Sequence, residues 1–277
     1  HLLTLTATPI PRTLALSVHG DLDVSQIDEL PPGRSPIKTS LIKSNERFKA
    51  YELIKTRVNF GEQVYYVLPL VEESDKLDLR SAVDVFNELS HEVFTDFRIG
   101  LLHGRMSSKE KNTVVDLFHA GTLQILVTTT VIEVGVDVPK ATVMIIDNAD
   151  RFGLAQLHQL RGRVGRGQNS SECILIDTGK GDLSKQRLEV LVRSNDGFEI
   201  SELDLRLRGP GQVLGTRQSG LPDFALASLI DDVSVLDRAR EEAIKILQVD
   251  PLLSNNKILK EHIDSHNYRF NQNTQLN

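Results

Sequence analysis

Short apolar runs alternate with amphipathic segments through the middle of the chain. Each run has the length of a β-strand and is rich in aliphatic and β-branched residues. The predicted strands are Val64 to Leu68, Arg98 to Leu102, Gln124 to Thr128, Val143 to Asp147 and Cys173 to Ile176. Because segments of helical spacing separate them, we predict an α/β fold with a RecA-like parallel sheet and helices on both faces.

End signals place the helices between these strands. Ser107 and Glu110 have capping-box spacing and open a helix that runs to His119, and Gly121 is a natural stop after it. Another helix is predicted from Asn45 to about Asn59, with Phe48, Leu53, Ile54 and Val58 on one side. The remaining predicted helices cover about residues 79–94, Lys185 to Val192, and about Asp232 to Gln248.

Two segments lack these signals. Pro31-Pro32-Gly33 and Pro36 make residues 20–40 an extended connector with poor helix prospects. The end of the chain, His266 to Asn277, is polar and amide-rich, and we expect it to be frayed. After about residue 180 the strands cease, so the sheet should be followed by a mainly helical extension.

Composition excludes several classes of protein. The 277 residues are 40% hydrophobic and 25% charged, and no apolar run has membrane-spanning length. The net charge of −6 argues against a wholly basic DNA-coating surface but leaves room for a local basic groove. Cys173, the only cysteine, lies in an apolar run and is predicted to be a core thiol, which fits a reducing compartment. The chain starts at His1 in mid-pattern, so we expect a fragment.

The most informative segment is Gln159-Leu160-Arg161-Gly162-Arg163-Val164-Gly165-Arg166. Arg163 and Arg166 stay charged at any working pH, and planar guanidinium groups bind phosphate oxygens bidentately. The neighbouring glycines let the backbone approach a ligand or a partner domain closely. This pattern predicts a fork for the phosphates of a nucleotide. The alternative is a surface loop of arginine and glycine without a ligand.

Three further segments follow predicted strands, where parallel sheets bind ligands. Residues 128–139 carry three threonines, Gly135 and Asp137, whose carboxylate could accept from a ribose hydroxyl or merely cap a helix. His103-Gly104-Arg105-Met106 follows the second strand, and its histidine could equally be a structural residue. Glu72 to Asp75 follows the first strand and is more typical of a solvated loop.

A second unusual patch combines Arg206 to Gly211 with Gly215 to Gly220. Its glycines, proline and hydrogen-bonding side chains indicate either a hook that contacts another segment or an exposed loop between helices. No Gly-x-x-x-x-Gly-Lys-Ser/Thr phosphate loop occurs in the sequence, and no strand ends in an Asp-Glu pair placed to hold Mg²⁺. The chain therefore has a pair of arginines suited to contact phosphate but lacks the loop that would bind the phosphates of a nucleotide.

These segments resemble helicase motifs. Thr6 to Pro9 resembles motif III of superfamily 2, Thr129 to Asp137 resembles motif V, and Gln159 to Arg166 resembles motif VI. More narrowly, the chain is similar to the RecG family of ATP-dependent DNA helicases over about residues 1–250. That similarity is carried by Ile27 to Arg34, Leu102 to Met106, Phe152 to Gln159 and Arg208 to Pro222.

The resemblance implies a domain organisation. Residues 1–19 would be the tail of the first RecA-like motor domain, and residues 20–40 an extended connector. Residues 41–180 would form the second RecA-like helicase domain. Residues 181–250 would be a helical extension with the translocation hook, and residues 251–277 a polar tail.

The resemblance also implies roles for individual residues. Arg163 and Arg166 would be catalytic arginine fingers, while Gly135, Asp137 and Gln159 would contact the nucleotide. Coupling to nucleic acid would fall to Thr6, Thr8, Thr129, Thr130, His103, Arg105, Arg208, Thr216, Arg217 and Gln218. ATP and Mg²⁺ would be bound mainly by a first motor domain absent from this chain, which itself would hold no metal.

The implied activity is ATP-driven remodelling of branched or forked DNA in fork reversal, recombination and repair. Expected partners are this DNA, an N-terminal wedge and a first motor domain, and no membrane. We expect a monomer that is located in the bacterial cytoplasm and associated with the nucleoid. A transcription-repair coupling translocase is one alternative, although Leu30 to Arg34 and Arg208 to Gly211 favour RecG. The other is a non-catalytic nucleic-acid-binding module with a motor-like fold. We expect the chain alone not to hydrolyse ATP.

Overall fold

The computed structural model describes residues 35–69, 75–129, 138–167, 169–179, 181–208 and 233–274, together with Leu3, Ser25 and Ile27. The chain divides into two compact units. The described part of the first unit is essentially residues 35–200, and that of the second is mainly residues 201–208 and 233–274.

The first unit is built on a parallel sheet of six strands in the order β1-β6-β5-β2-β4-β3. The strands are β1 Lys38–Lys43, β2 Gln63–Val67, β3 Ile99–Leu102, β4 Ile125–Thr128, β5 Ala141–Ile146 and β6 Glu172–Asp177. All residues of β2, β4 and β5 are buried because these strands are central and covered on both faces. The predicted α/β fold is confirmed.

Side chains of the central strands alternate between two hydrophobic cores. Tyr65 and Val67 of β2 face one core, together with Met144 of β5, whereas Val64 and Tyr66 face the other. Successive side chains of a strand point to opposite faces, so one apolar run supplies both layers. This double burial is why the strands are apolar throughout and do not alternate with polar residues.

Helices cover both faces of the sheet and continue into the second unit. The described helices of the first unit are α1 Arg47–Asn59, α2 Asp75–Glu88, α3 Ser108–His119, α4 Leu154–Arg161 and α5 Asp182–Arg193. Helix α6, Gly197–Arg208, crosses the boundary between the units, and α7 Val233–Val249 and α8 Lys257–Thr274 belong to the second. Short helical segments also occur at Ser44–Glu46, Leu89–Val93 and Ala149–Arg151.

The capping box that opens α3 is confirmed. Ser107 donates its backbone N–H to Glu110 Oε2 at 2.8 Å, and Glu110 donates its own to Ser107 Oγ at 3.3 Å. Gly121 has φ +75°, the left-handed geometry expected of a residue that ends a helix. The placement of Phe48 on the buried side of α1 is wrong. Its side chain is 60% exposed, and Ala50, Ile54 and Val58 face the core.

Four of the strands and longer helices were not predicted. Strand β1 lies at the sheet edge, and its residues are half-buried or exposed, so its Lys-Thr-Ser-Leu-Ile-Lys sequence lacks an apolar run. The other three are α4, α6 and α8, of which α8 lies in the segment that was interpreted as a polar tail. The prediction of a frayed end is wrong as far as Thr274, where α8 ends.

A compact turn joins the two helices of the second unit. Asp250 accepts hydrogen bonds from the backbone of Ser254 at 2.7 Å and of Asn255 at 2.8 Å, and from the Asn256 side chain. These bonds lower the pKa of the Asp250 carboxyl against the opposing effect of desolvation. Leu253 takes a left-handed backbone with φ 52° within this turn.

Cys173 is fully buried in β6, as predicted for a core thiol, and burial raises its pKa to about 12. The thiol is therefore protonated and unreactive at neutral pH. Across the described ranges, no group of three or more His, Cys, Asp or Glu side chains is arranged to hold a metal ion. None of the helices within those ranges has the length and apolar character to cross a membrane.

Candidate functional site

The arginine fork forms a tight turn directly after helix α4. Leu154, Leu157 and Leu160 anchor the helix in the core, and Val164 anchors the turn, with 0% of its side chain exposed. On either side of this anchor, Arg163 is half-buried and Arg166 is exposed. The buried valine thus fixes the backbone between the two arginines.

Two glycines hold the turn against the sheet. Gly165 has φ +78°, and a Cβ atom there would lie 3.0 Å from Ile37 Cγ1. A Cβ on Gly167 would lie 2.6 Å from the carbonyl oxygen of Pro139. Ile37 precedes β1 and Pro139 precedes β5, so the turn packs where these strands begin. The arginine fork therefore lies at the amino-terminal edge of the sheet.

The predicted nucleic-acid residues lie at the opposite edge. His103 follows β3 and Thr129 follows β4, and these strands are neighbours with Leu102 opposite Thr128. The Thr129 N–H donates to Leu102 O at 3.2 Å. Thr129 is 2% exposed, yet among the described residues its hydroxyl has no hydrogen-bond partner, and neither does His103 Nδ1. Buried polar atoms in this state are uncommon in folded proteins, and they mark this edge as a candidate ligand contact.

Basic side chains surround the same strand ends. Arg105 is exposed in the turn after His103, and Lys111 of α3 donates to Gly104 O at 2.8 Å. Desolvation, and secondarily the charge of Lys111, lowers the pKa of His103 below its ordinary value. The imidazole is therefore neutral at pH 7, with an unpaired Nδ1 beside two cations.

Acidic side chains at this edge are committed to internal contacts. Asp147 accepts from Arg47 at 2.8 Å and from the Tyr66 hydroxyl at 2.8 Å, and Asp177 pairs with Lys43 Nζ at 2.6 Å. Burial and the negative charge of Asp147 raise the pKa of Tyr66 well above its ordinary value, so it stays a donor. These carboxylates brace the strand ends and do not form a hydrolytic pair. Their roles were not predicted, because no spacing signal links them in the sequence.

Arg161 was also overlooked, although it belongs to the motif. Its side chain is buried, and the guanidinium donates to the carbonyl oxygens of Leu191 at 2.8 Å and Ser194 at 2.9 Å. A weaker contact at 3.4 Å reaches Thr39 Oγ1 on β1. The first arginine of the motif is therefore turned inward, while Arg166 faces outward.

The structure describes only part of the predicted site. It brings Gln159, Arg163 and Arg166 together on one segment, with Gln159 exposed on α4. It brings His103, Arg105 and Thr129 together at the other edge. Arg208 ends α6, with its side chain outside the described part. The other predicted residues lie outside the described ranges: Thr6, Thr8, Thr130, Gly135, Asp137, Thr216, Arg217 and Gln218.

Comparison with known proteins gives two adjacent family matches. Residues 47–168 match the helicase conserved C-terminal domain, and residues 194–267 match the C-terminal part of domain 3 of the ATP-dependent DNA helicase RecG. The ATP-dependent DNA helicase RecG of Synechocystis sp. is 58% identical over 260 residues, which are 94% of this chain and 31% of the relative. The chain belongs to the RecG family.

Other relatives agree with this assignment. The RecG helicase of Bacillus subtilis is 49% identical over 248 residues, covering 90% of this chain. A solved structure of RecG bound to a three-way DNA junction superimposes with a TM-score of 0.66 at 47% identity, over 83% of this chain and 30% of that one. The fold is thus that of a RecA-like helicase C-terminal domain. Because the chain belongs to the RecG family, the alternative of a transcription-repair coupling translocase is excluded. The chain spans 31% and 36% of the length of the two curated RecG relatives.

Proposed function

We propose that this chain is the second motor domain and C-terminal coupling region of an ATP-dependent helicase that remodels branched DNA. The observation that carries the proposal is the turn at residues 162–167, where a buried Val164 and two close-packed glycines present Arg163 and Arg166 at one sheet edge. The RecG relatives are named ATP-dependent DNA helicases, and one RecG structure contains a three-way DNA junction. Both facts support the proposal.

In this proposal, the arginines face a triphosphate held by another motor domain. Guanidinium groups stay charged and form bidentate contacts with phosphate oxygens, so they stabilise the charge that develops during phosphoryl transfer. The sequence of this chain has no phosphate loop, the element that binds the nucleotide phosphates together with Mg²⁺. We therefore assign Mg²⁺ and most ATP contacts to the other domain, with Gln159, Gly135 and Asp137 adding contacts from this side.

DNA would be gripped at the opposite edge. The unpaired Thr129 hydroxyl, the exposed Arg105 and the neutral His103 offer hydrogen bonds and charge to a phosphate backbone. Closure of the cleft around ATP would then move one DNA grip relative to another, which converts hydrolysis into stepping. The remaining residues assigned to coupling by family resemblance are Thr6, Thr8, Thr130, Arg208, Thr216, Arg217 and Gln218.

The resemblance to RecG helicases also supports a proposal for domain organisation, with five segments at residues 1–19, 20–40, 41–180, 181–250 and 251–277. We propose in addition that the protein is a monomer and that its partners are an N-terminal wedge and a first motor domain. A role in fork reversal, recombination and repair at the bacterial nucleoid belongs with them. Each follows from the resemblance to RecG helicases.

The first test separates the chain from a complete motor. A reconstituted helicase is made by placing this chain in the Synechocystis RecG in place of the segment that it matches. We expect DNA-stimulated ATP hydrolysis from the reconstituted helicase and none from the isolated chain, which has no phosphate loop. Steady-state release of phosphate is the measurement.

An Arg163→Ala preparation of the isolated chain serves as control, because a contaminating ATPase would be unaffected by the substitution. Hydrolysis by the isolated chain that disappears with Arg163→Ala would contradict the division of labour between the two domains. A reconstituted helicase without ATPase activity, although folded and able to bind DNA, would favour the non-catalytic binding module.

The second test concerns the DNA edge. Arg105→Ala should weaken binding of forked DNA to the reconstituted helicase and reduce the slope of log K against log salt by about one, as expected for one lost phosphate contact. Binding is measured by fluorescence anisotropy between 50 and 200 mM salt. Lys55→Ala, which removes an exposed cation from α1, should leave the slope unchanged. Equal slopes for the Arg105 variant and the unsubstituted protein would remove Arg105 from the interface.

A further inference from the structure

Arg161 is a buried cation whose described contacts are all neutral. Its side chain is 3% exposed, and its hydrogen bonds go to two carbonyl oxygens and one hydroxyl. Desolvation lowers the pKa of the guanidinium, although an arginine remains charged in any protein environment. A buried charge is costly, so the atoms that satisfy it must be held firmly in place.

The two carbonyl oxygens lie at the carboxyl end of helix α5, Asp182–Arg193. The last carbonyls of a helix lack partners within it and carry the negative end of the helix dipole. Leu191 O at 2.8 Å and Ser194 O at 2.9 Å are therefore suitable acceptors for a cation. Arg161 closes the end of α5 from the side of α4, where a solvent molecule would otherwise be needed.

Ser194 also organises the start of the next helix. Its N–H donates to Val190 O at 3.0 Å, its hydroxyl accepts from the Asp196 N–H at 3.1 Å, and the same hydroxyl donates to Glu199. The Asp196 carboxylate in turn accepts from the Phe198 N–H at 2.8 Å. These bonds make residues 194–198 a fixed turn that leads into α6.

Arg161 thereby connects two parts of the chain that the family matches divide. It ends α4 and lies two residues before Arg163, within the match to the helicase conserved C-terminal domain. Its acceptor Ser194 is the first residue that matches domain 3 of RecG. Arg161 is thus a direct hydrogen-bonded link between the arginine fork and the start of the C-terminal region.

We propose that Arg161 is a positioning residue that transmits displacement of the arginine fork to helix α6, and so couples ATP hydrolysis to DNA unwinding. The inference rests on the proposed function, because it requires Arg163 and Arg166 to move with the state of the nucleotide. Arg161 touches neither nucleotide nor DNA in this account. Its loss should therefore reduce the work obtained per ATP more than the rate of hydrolysis.

The test uses Arg161→Met and Arg161→Lys in the reconstituted helicase. The coupling ratio is the rate of fork unwinding divided by the rate of DNA-stimulated ATP hydrolysis. We expect Arg161→Met to lower this ratio by about tenfold, the equilibrium effect of losing a hydrogen bond to a charged group. Arg161→Lys should restore part of the ratio, because an ammonium keeps the charge but lacks the planar fork.

A second variant attacks the same link from the acceptor side. Ser194→Ala removes the hydroxyl that orders the turn but leaves the carbonyl that accepts from Arg161. If the link transmits motion, Ser194→Ala also lowers the coupling ratio, and its effect is not additive with that of Arg161→Lys. Thermal unfolding of the isolated chains reports the fold separately. If Arg161→Met fails to fold, the Lys variant and Ser194→Ala decide the question.

Two results would overturn the inference. In one, every folded variant lowers hydrolysis and unwinding in equal proportion, as expected of a purely structural residue. In the other, neither the rate of hydrolysis nor the rate of unwinding changes. Arg163→Ala measured in parallel tests the proposed function itself, since retained hydrolysis in that variant would refute the arginine fingers independently of Arg161.

Discussion

We expect Arg163→Ala in the reconstituted helicase to lower kcat for ATP hydrolysis by about 10³ to 10⁵, the range expected for an arginine finger. The reason is that the guanidinium contributes mainly in the transition state, where negative charge spreads over the transferred phosphoryl group. Arg166→Ala has an effect of the same kind, because the turn holds both arginines on one segment. KM for ATP should change less, because the proposed function assigns most ground-state contacts to the other motor domain.

The measurement is steady-state phosphate release on saturating forked DNA, with kcat and KM determined separately. Arg193→Ala is a matched control, because the side chain of this arginine in α5 is 78% exposed and its described ion pair is with Glu189 of the same helix. Its turnover should equal that of the unsubstituted enzyme. Turnover that is equally unaffected by Arg163→Ala and Arg166→Ala would remove both residues from catalysis.

The second large effect is expected from Gly167→Ala, which adds a single methyl group. That carbon would lie 2.6 Å from the backbone carbonyl oxygen of Pro139, so the turn or the start of β5 must shift. The shift displaces Arg166, the neighbouring residue, and Arg163 at the other end of the turn. A misplacement of about 1 Å at a catalytic group costs on the order of 10²-fold in rate, and we expect kcat to fall by about that factor.

Gly181→Ala is the control for this experiment, because a Cβ at Gly181 meets no atom within 4 Å. It should leave kcat unchanged. Gly165→Ala provides a second variant. Gly165 has a φ of +78°, a backbone conformation that is strained for any residue with a side chain. Thermal unfolding of the isolated chains distinguishes loss of fold from loss of geometry. Normal turnover of a folded Gly167→Ala variant would mean that the position of the turn is not important for catalysis.

The central sheet could be predicted because its strands are continuously apolar. Strands β2, β4 and β5 are buried on both faces, so nearly every residue in them must be apolar, and this can be recognised in the sequence. Strand β1 could not be identified in the same way, because an edge strand needs few apolar residues. Helix α6 begins at a turn capped by Ser194 and Asp196, and those hydrogen bonds leave only a weak signal beside the glycine- and proline-rich segment that follows.

Only part of the candidate site could be predicted from the sequence. Glycine and arginine spacing marks the fork in the sequence, since phosphate contact and close backbone approach demand these residue types. The side of the sheet on which the fork lies depends on packing against Ile37 and Pro139, which are remote in sequence. The inward orientation of Arg161 was hidden for another reason. Arginine is rarely buried, and its acceptors are backbone carbonyls that every sequence contains.

The most direct test of the account is a structure of the reconstituted helicase with forked DNA and a non-hydrolysable ATP analogue. The account predicts that guanidinium nitrogens of Arg163 and Arg166 lie about 2.7–2.9 Å from oxygens of the γ-phosphate, the distance of charge-assisted hydrogen bonds. Arginines that instead pair with carboxylates of their own domain, or that face away from the nucleotide, would contradict it.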